Sequence, residues 1–294
     1  GYSIAAVPFV TMVNDPESFQ PLFGQDKAAC GFEIADALVI RADLVDKVLA
    51  VGNTEYEASY SIVPTIMTIY RGYAWADIQV GSTPVRFVTT HLESLWDENK
   101  LPNAAKQAKQ LIADLNKTKN PIVIMGDFNS DPRDPRISDD PNAGGQPTSS
   151  AACPGGTSVC NAYLLMSEAG FKDVGPNALD PINNTWGMNA LLTGPDPDRL
   201  KYSQQMGNFA GYSDRLDYIF VRNGAQPIAS QLIGALPPNN LNSDHAGVVS
   251  LISIDSDVTE RSADLPEHAP FPISFWQWIG IALAVLLIGI IVKK

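Results

Sequence analysis

The chain has few basic residues, few cysteines and few histidines. Its 294 residues include 20 lysines and arginines against 32 aspartates and glutamates, which gives a formal net charge of -12. A surface of this sign disfavours charge-driven adhesion to nucleic acid or to anionic lipid, although a bound metal ion would dominate the field at a local phosphate site. No internal repeat is visible, which excludes a solenoid architecture.

Of the three cysteines, Cys153 and Cys160 lie in one loop at a spacing that could close a small disulfide, and Cys30 is left alone. We therefore predict a disulfide between Cys153 and Cys160. Hydrophobic residues make up 45% of the chain, which is ample for the core of one large domain with an appendage.

The C-terminal segment is a long hydrophobic run. From 275 to 292 the residues are apolar except for Gln277, and these 18 positions just reach the length of a membrane span. Trp276 and Trp278 stand at the upstream edge, and Lys293 and Lys294 follow on the side expected to be cytoplasmic. A buried core helix is the alternative, but the run is apolar on every face.

The sequence thus predicts a single-pass protein of the cell membrane. Residues 1–254 would form the main domain outside the cell, residues 255–272 a linker, and residues 273–294 a transmembrane anchor with a cytoplasmic C-terminus.

Within the main domain, periodicity predicts strands joined mostly by hairpins, with few helices. The predicted strands are Ala35–Arg41, Tyr73–Val80, Val85–Leu92, Pro121–Met125, Arg215–Arg222 and Ala246–Ile254, and the predicted helices are Ala104–Asn116, capped by Asn103, and Asn161–Ala169. This pattern favours a mostly antiparallel α/β sandwich over a doubly wound parallel sheet.

Five short motifs occur in a fixed order, each where a predicted strand ends. They are Thr90-His91-Leu92, Gly126-Asp127-Phe128-Asn129, Thr185-Trp186, Arg215-Leu216-Asp217-Tyr218 and Ser243-Asp244-His245. Carboxylates can hold a divalent cation, one histidine can transfer a proton, and an amide and a second histidine can bind phosphate oxygens. The ordered set indicates metal-assisted hydrolysis of a phosphoester.

The segment from Gly126 to Asn129 places an acid and an amide two residues apart after a strand. Gly126 would let the backbone approach a ligand closely, Asp127 could orient a water nucleophile or hold metal, and Asn129 could donate to a phosphate oxygen. The alternative is an Asx turn, which is favoured for this tetrapeptide taken alone.

Asp244 and His245 are an acid and an imidazole at the mouth of a predicted strand, where both can reach one cavity. His245 could act as general acid or base, and Asp244 could ligate the metal. Asp217, on a neighbouring strand, could accept the other imidazole proton and fix the tautomer. A surface Asp-His pair without a partner is the alternative.

The other candidates are less specific. His91 could donate to a phosphate oxygen or be only a polar strand terminus. Arg71 could bind phosphate, although a solvated arginine is the commoner case, and Trp186 could contact substrate, although packing is commoner. His268, the third of three histidines, lies in the linker and is expected to be inert.

The order of these motifs resembles the endonuclease/exonuclease/phosphatase superfamily, which groups DNase I-like nucleases, sphingomyelinases and inositol polyphosphate phosphatases. It is particularly similar to bacterial secreted members with Arg-Gly-aromatic before the Thr-His-Leu strand, and it spans about Ala35 to Ile254. The resemblance implies a four-layer α/β sandwich of two mostly antiparallel sheets flanked by helices. It also implies Mg²⁺- or Mn²⁺-dependent cleavage of phosphoesters.

Carried over by motif, the resemblance implies a role for each of five side chains. His91 would contact phosphate, Asp127 and Asn129 would position the nucleophile and the phosphate, and Asp217 would pair with His245.

The implied metal ligands are Asp244 and Asp127. The family also carries an Asn on its opening strand and a metal-binding Glu on the next, and both are expected to precede Gly1. Glu17 and Glu33 have neither the right context nor the right place in the order. We therefore expect the natural protein to be longer at its N-terminus, with a signal peptide, and this chain to be impaired in activity.

Three functions remain open at this point. The favoured one is an extracellular, membrane-tethered endonuclease or phosphodiesterase. The second is a phosphatase or a sphingomyelinase-like phospholipase acting on lipid headgroups. The third is a catalytically inactive surface binding module, which would have no need of the motif carboxylates and His245. The expected partners are a phosphoester substrate and the lipid bilayer, with no obligate protein partner.

Overall fold

The structure is a computed structural model. It describes residues 11–14, 27–30, 36–63, 67–95, 102–133, 161–187, 201, 203–234 and 243–254. Within these ranges no helix is both long and apolar enough to cross a membrane. The linker at 255–272, the anchor at 273–294 and the predicted disulfide between Cys153 and Cys160 lie outside the described residues.

Twelve strands, two α-helices and two short 3-10 helices lie wholly within the described residues, and residues 201 and 203–205 are helical as well. The strands are β1 (Thr11–Asn14), β2 (Lys27–Cys30), β3 (Val48–Glu55), β4 (Tyr60–Val63), β5 (Met67–Ile69), β6 (Gly72–Val80), β7 (Thr83–His91), β8 (Ile122–Asp127), β9 (Lys172–Asp173), β10 (Asp217–Arg222), β11 (Ala225–Ile233) and β12 (Gly247–Ile254). The helices are α1 (Asn103–Leu115) and α2 (Ala162–Glu168), and the 3-10 helices are Ala42–Lys47 and Pro181–Asn183.

The main element is a six-stranded sheet with the order β3-β6-β7-β8-β10-β9. Strands β6 and β7 form the predicted hairpin around Gly81, whose φ of 58° suits a tight turn. Strands β7 and β8 are parallel because α1 carries the chain back across the sheet between them, and the other four pairs are antiparallel. The mostly antiparallel character predicted from the sequence is therefore confirmed for this sheet.

Each face of this sheet packs on a different layer, because successive side chains of a strand point to opposite faces. Ile122 and Ile124 of β8 pack with α1 and α2, whereas Val123 of the same strand packs with the β12 residues Val248 and Ile252. Helices, sheet and the β11–β12 ribbon thus form three layers. A second helical layer is not among the described residues, so the four-layer sandwich stays a prediction.

The helix α1 is amphipathic, as its spacing predicts, and buries Ala104, Ala108 and Leu111 against the sheet. The predicted cap is wrong: Asn103 is the first helical residue, Pro102 stands at the cap position, and the Asn103 side chain donates to the Leu95 carbonyl at 3.0 Å. The helix α2 does have its cap, since Asn161 accepts the Leu164 N–H.

The predicted strand Ala35–Arg41 is also wrong where the structure describes it, because residues 36–41 pair with no strand and lead into the 3-10 helix Ala42–Lys47. Conversely, β3 and β11 were not predicted. Strand β3 forms one edge of the main sheet, and β11 pairs with β12 along its whole length.

Candidate active site

Three of the predicted site residues form one row across the main sheet. His91 ends β7 and is in register with Asp127, which ends the parallel strand β8, and Asp127 is in register with Asp217, which begins the antiparallel strand β10. Residues in register on adjacent strands direct their side chains to the same face. The sheet topology therefore brings together two acids and an imidazole that are far apart in the sequence.

The fourth member, His245, reaches this row from the segment before β12. Its Nδ1 lies 2.8 Å from Oδ2 of Asp217, which is the contact predicted from the motifs. The segment is held by main-chain bonds to Thr185–Gly187: the Ala246 N–H donates to the Thr185 carbonyl at 2.6 Å, and the Gly187 N–H donates to the Asp244 carbonyl at 3.1 Å.

The motif Thr185-Trp186 therefore positions its neighbours through its backbone and through the Thr185 hydroxyl. The Thr185 hydroxyl, which is fully buried, accepts the N–H groups of Leu216 and Asp217 at 3.0 and 3.1 Å and so fixes the start of β10. The Trp186 backbone bridges to both Asp214 and His245, and the Trp186 and His245 rings are 6.5 Å apart between centroids. Trp186 thus borders the site from beside His245.

One oxygen of Asp127 lies between the two imidazoles. Its Oδ2 is 3.4 Å from Nε2 of His91 and 3.9 Å from Nε2 of His245. The other oxygen accepts the Asn129 N–H at 2.8 Å, so the Asx turn that was the alternative interpretation is present together with the site. Asn129 has a positive φ of 44°, and its side-chain amide donates to the Leu92 carbonyl at 2.7 Å.

Gly126 has a packing role that the sequence did not predict. A Cβ atom at this position would lie 1.9 Å from the Thr90 carbonyl oxygen. Glycine is therefore required here for the close approach of β7 and β8, and the approach of this backbone to a ligand stays a prediction. This contact helps to keep His91 and Asp127 side by side.

The two histidines of the site have opposite electrostatic environments. Burial lowers the pKa of His91 to about 3, and the positive charges of Arg71 and His245 act in the same direction. Burial also acts to lower the pKa of His245, but the charge and hydrogen bond of Asp217, with help from Asp127 and Asp244, raise it to about 9. In the absence of a metal ion, these shifts favour a neutral His91 and a protonated His245 at neutral pH.

The carboxylate between them is perturbed as well. Burial, and then repulsion from Asp217, raise the pKa of Asp127, while the positive charge of His245 opposes this shift.

Arg71 is brought to the site but is not directed into solvent. The residue is 7% exposed, its Nε donates to Glu93 at 3.1 Å, and its Nη1 lies 3.1 Å from Nδ1 of His91. Glu93 was missed from the sequence, because nothing in the local pattern shows that this acid, two residues after His91, is buried beside Arg71. Asp36 was missed too. Burial raises its pKa to about 6, although the charge of Arg71 and a hydrogen bond from the backbone N–H of His91 act to lower it.

Asp127, Asp217 and His245 could together hold a metal ion, since one ligand atom from each lies within 4.8 Å of the other two. Asp244 is not part of this group among the described residues. It is half-buried next to His245, and its charge helps to raise the pKa of His245. The pKa of Tyr212 is raised mainly by burial and further by the charge of Asp244.

Comparison of the sequence with known families identifies the family of this chain. The sequence matches the model of the Endonuclease/Exonuclease/phosphatase family over residues 54–253, which is more than half of the chain. No curated protein matches it.

Several solved structures are similar at low identity. TDP2 of D. rerio, complexed with single strand DNA product, is 20% identical, with 70% of this chain and 68% of that chain covered and a TM-score of 0.42. An endonuclease/exonuclease/phosphatase from Bacteroides vulgatus is 16% identical, with coverages of 72% and 68% and a TM-score of 0.42. A mannosyl-6-phosphatase from Bacteroides thetaiotaomicron is 13% identical, with coverages of 84% and 78% and a TM-score of 0.41.

The family match covers every residue of the row and the segment of His245. The chain belongs to the endonuclease/exonuclease/phosphatase family, whose members are hydrolases that act on phosphoester bonds.

Proposed function

We propose that this chain is a divalent-metal-dependent phosphodiesterase. The observation that carries the proposal is the row of His91, Asp127 and Asp217 across three strands, with His245 hydrogen-bonded to Asp217. Around Asp127 it brings together a proton donor (His245), a neutral hydrogen-bond donor (His91) and a second carboxylate (Asp217). These are the groups needed to cleave a phosphoester.

His245 would supply the proton to the leaving oxygen. Its Nδ1–H donates to Asp217, which leaves Nε2 as the atom that faces the reaction, on the side of Asp127. Because Asp217 keeps the imidazole protonated at neutral pH, His245 is ready to act as a general acid.

His91 and Asn129 would hold the phosphate. His91 is neutral, so it can donate one hydrogen bond to an oxygen that gains charge without adding a full charge of its own. The Asn129 amide uses one N–H on the Leu92 carbonyl, which fixes its orientation, and retains a second for a phosphate oxygen.

The residues fit a divalent cation of the Mg²⁺ or Mn²⁺ type, since carboxylate oxygens predominate in the donor set. Within this group Asp127 and Asp217 would hold the cation, and Asp244, which precedes His245, is the further acid that the sequence predicts as a ligand. When bound, the cation would supply charge stabilisation for the phosphoryl oxygens.

A diester is favoured over a monoester because of the local charge. The arginine beside the site, Arg71, is paired with Glu93 in a buried ion pair. Because Glu93 already neutralises this guanidinium, Arg71 would not help His245 and the bound cation to balance the second negative charge that a phosphomonoester carries at neutral pH. A nucleic acid strand or another diester fits this site better than a phosphorylated sugar or inositol.

A substrate panel tests this proposal. We expect the chain to hydrolyse bis-p-nitrophenyl phosphate and an oligonucleotide with Mg²⁺ or Mn²⁺, at the reduced rate expected from the sequence. It should lose this activity in EDTA and act less on p-nitrophenyl phosphate. Preference for the monoester would favour the phosphatase alternative, and preference for sphingomyelin vesicles the phospholipase. Absence of metal-dependent turnover on every substrate would contradict the proposal.

We further propose that residues 1–254 are completed as a four-layer sandwich outside the cell and are tethered by the linker 255–272 and the span 273–294. The support is the apolar run before Lys293 and Lys294. The full chain should fractionate with membranes, whereas a chain that ends at Pro270 should be soluble without detergent. A full chain that stays in the aqueous phase would contradict the anchor.

A further inference from the structure

The side chain of Arg71 is enclosed between the site and a buried acid. The Arg71 and Glu93 side chains are 8% and 1% exposed, and the guanidinium Nε lies 3.1 Å from Oε2 of Glu93. The same guanidinium places Nη1 3.1 Å from Nδ1 of His91. A buried charge is tolerated when it is paired and hydrogen-bonded, so this arrangement holds the arginine in one place.

Glu93 is itself fixed by its neighbours. Its Oε1 accepts the Leu95 N–H at 3.1 Å and the Ser94 hydroxyl at 3.3 Å, and its own N–H donates to the fully buried Gln107 of α1 at 2.7 Å. The acid that orients Arg71 is thus anchored to both its own loop and a core helix. The Asp36 carboxylate is also close to Arg71, whose positive charge acts to lower the pKa of Asp36 against the effect of burial.

The Arg71–His91 contact determines where the imidazole proton is. An arginine side chain only donates hydrogen bonds, so the His91 Nδ1 that faces it must accept. In the neutral ring the proton is then on Nε2, which lies 3.4 Å from Oδ2 of Asp127. The donor N–H of His91 is therefore directed toward the reaction centre.

We propose that Arg71 is a positioning residue that holds His91 as the Nε2–H tautomer, with Glu93 as the acid that holds Arg71. In this account Arg71 acts on turnover through His91 and does not bind the phosphate itself. The effect on turnover rests on the proposed function, whereas the tautomer does not.

Direct phosphate binding by Arg71 is the competing explanation. For this, the guanidinium would have to leave Glu93, with loss of a buried ion pair, or to reach the phosphate with the N–H groups that contact neither Glu93 nor His91. The two explanations differ in kinetics, because loss of a substrate ligand raises KM, whereas a misplaced His91 lowers kcat.

The test is nitrogen NMR of the imidazoles in the full chain labelled on histidine. The chain has only three histidines, so His91→Gln and His268→Gln assign the spectrum. In the unaltered chain the signals of His91 should show a protonated Nε2 and an unprotonated Nδ1. In Arg71→Met the two signals should move toward a mixture of tautomers.

Turnover should change in parallel. Arg71→Met should lower kcat about 10- to 100-fold with KM little changed, as for other residues that orient a functional histidine. Arg71→Lys should restore part of the activity, since it keeps one donor for Nδ1. The matched control is Arg86→Met: Arg86 is on the same strand as His91 but pairs with Asp77 at 2.7 Å, so this variant should leave the tautomer and kcat unchanged.

A protonated Nδ1 on His91 in the unaltered chain, or an unchanged tautomer in Arg71→Met, would overturn the proposal. So would a rise in KM with kcat unchanged. Should Arg71→Met fail to fold, Glu93→Gln carries the same comparison, since it weakens the ion pair that holds Arg71 against His91. If no substrate is turned over, the proposed function fails, but the tautomer still decides this inference.

Discussion

The two histidines of the site differ in the charge of the group that holds each ring. His91 presents Nδ1 to the guanidinium of Arg71, whereas His245 presents Nδ1 to the carboxylate of Asp217. Both rings direct Nε2 toward the same oxygen of Asp127. The cationic partner favours a neutral ring, and the anionic partner favours a protonated one.

This difference shows how one residue type can serve two functions within a few ångströms. The exposures of the two rings are similar, at 32% for His91 and 29% for His245, so burial does not distinguish them. The partner does. We therefore assign proton transfer to the ring beside the acid, and phosphate binding to the ring beside the arginine.

The largest expected effect comes from removal of the protonated ring. His245→Ala should lower kcat by roughly 10²-fold or more, because general acid catalysis contributes about that factor. His268→Ala is the matched control, since His268 lies in the predicted linker, and it should retain full turnover. Steady-state kinetics on the diester substrate measure both. If His245→Ala were as active as the unaltered chain, the assignment of proton transfer to His245 would be contradicted.

A smaller effect should follow when the ring is kept and only its partner is neutralised. Asp217→Asn retains an oxygen that can accept the Nδ1–H but removes the charge that raises the pKa of His245. Turnover should fall about 10- to 100-fold at pH 8. The loss should be smaller at pH 6, where the ring is protonated even without the carboxylate. A pH–rate profile whose alkaline limb stays unchanged in Asp217→Asn would contradict the role of this charge.

The smallest effect concerns stability. The folded state keeps the proton of His245 up to about pH 9, whereas an unperturbed histidine loses it near 6.5. The folded state thus binds more protons in this window, so the stabilisation is complete below pH 6.5 and is lost as the pH rises through 9. The free energy of unfolding in metal-free buffer should fall by roughly 1–3 kcal/mol across the window.

The matched variant for this stability measurement is His245→Gln, which does not titrate. Urea unfolding of this variant should show a flatter dependence on pH between 6.5 and 9 than the unaltered chain. A parallel dependence in the two proteins would assign the loss of stability to another group.

The sequence predicted the elements whose signals are local. The β6–β7 hairpin has an alternating pattern on both sides of Gly81, β8 is a short apolar run, and α1 has helical spacing of its apolar residues. Because the motifs follow these elements, the meeting of His91 with Asp127 follows from the pairing of β7 and β8. Asp217 and His245 could be placed because their motif order is that of the family.

The sequence could not predict what depends on tertiary partners. Strand β11 contains Pro227, which argues against a strand, and the structure accommodates it at a bulge between Pro227 and Ala229. Arg71 looked like a solvated arginine, because nothing local shows that Glu93 lies beside it in the core. Asn103 has the residue type of a cap, but its side chain bonds to Leu95 instead.

The most direct test of the central claim is a titration of the imidazoles by NMR in the metal-free chain. The account predicts that His91 remains neutral from pH 8 down to about 5 and that His245 loses its proton near pH 9, because their partners carry opposite charges. If both rings titrate together near pH 6.5, the two partners do not set the protonation states, and the division of roles between His91 and His245 is contradicted.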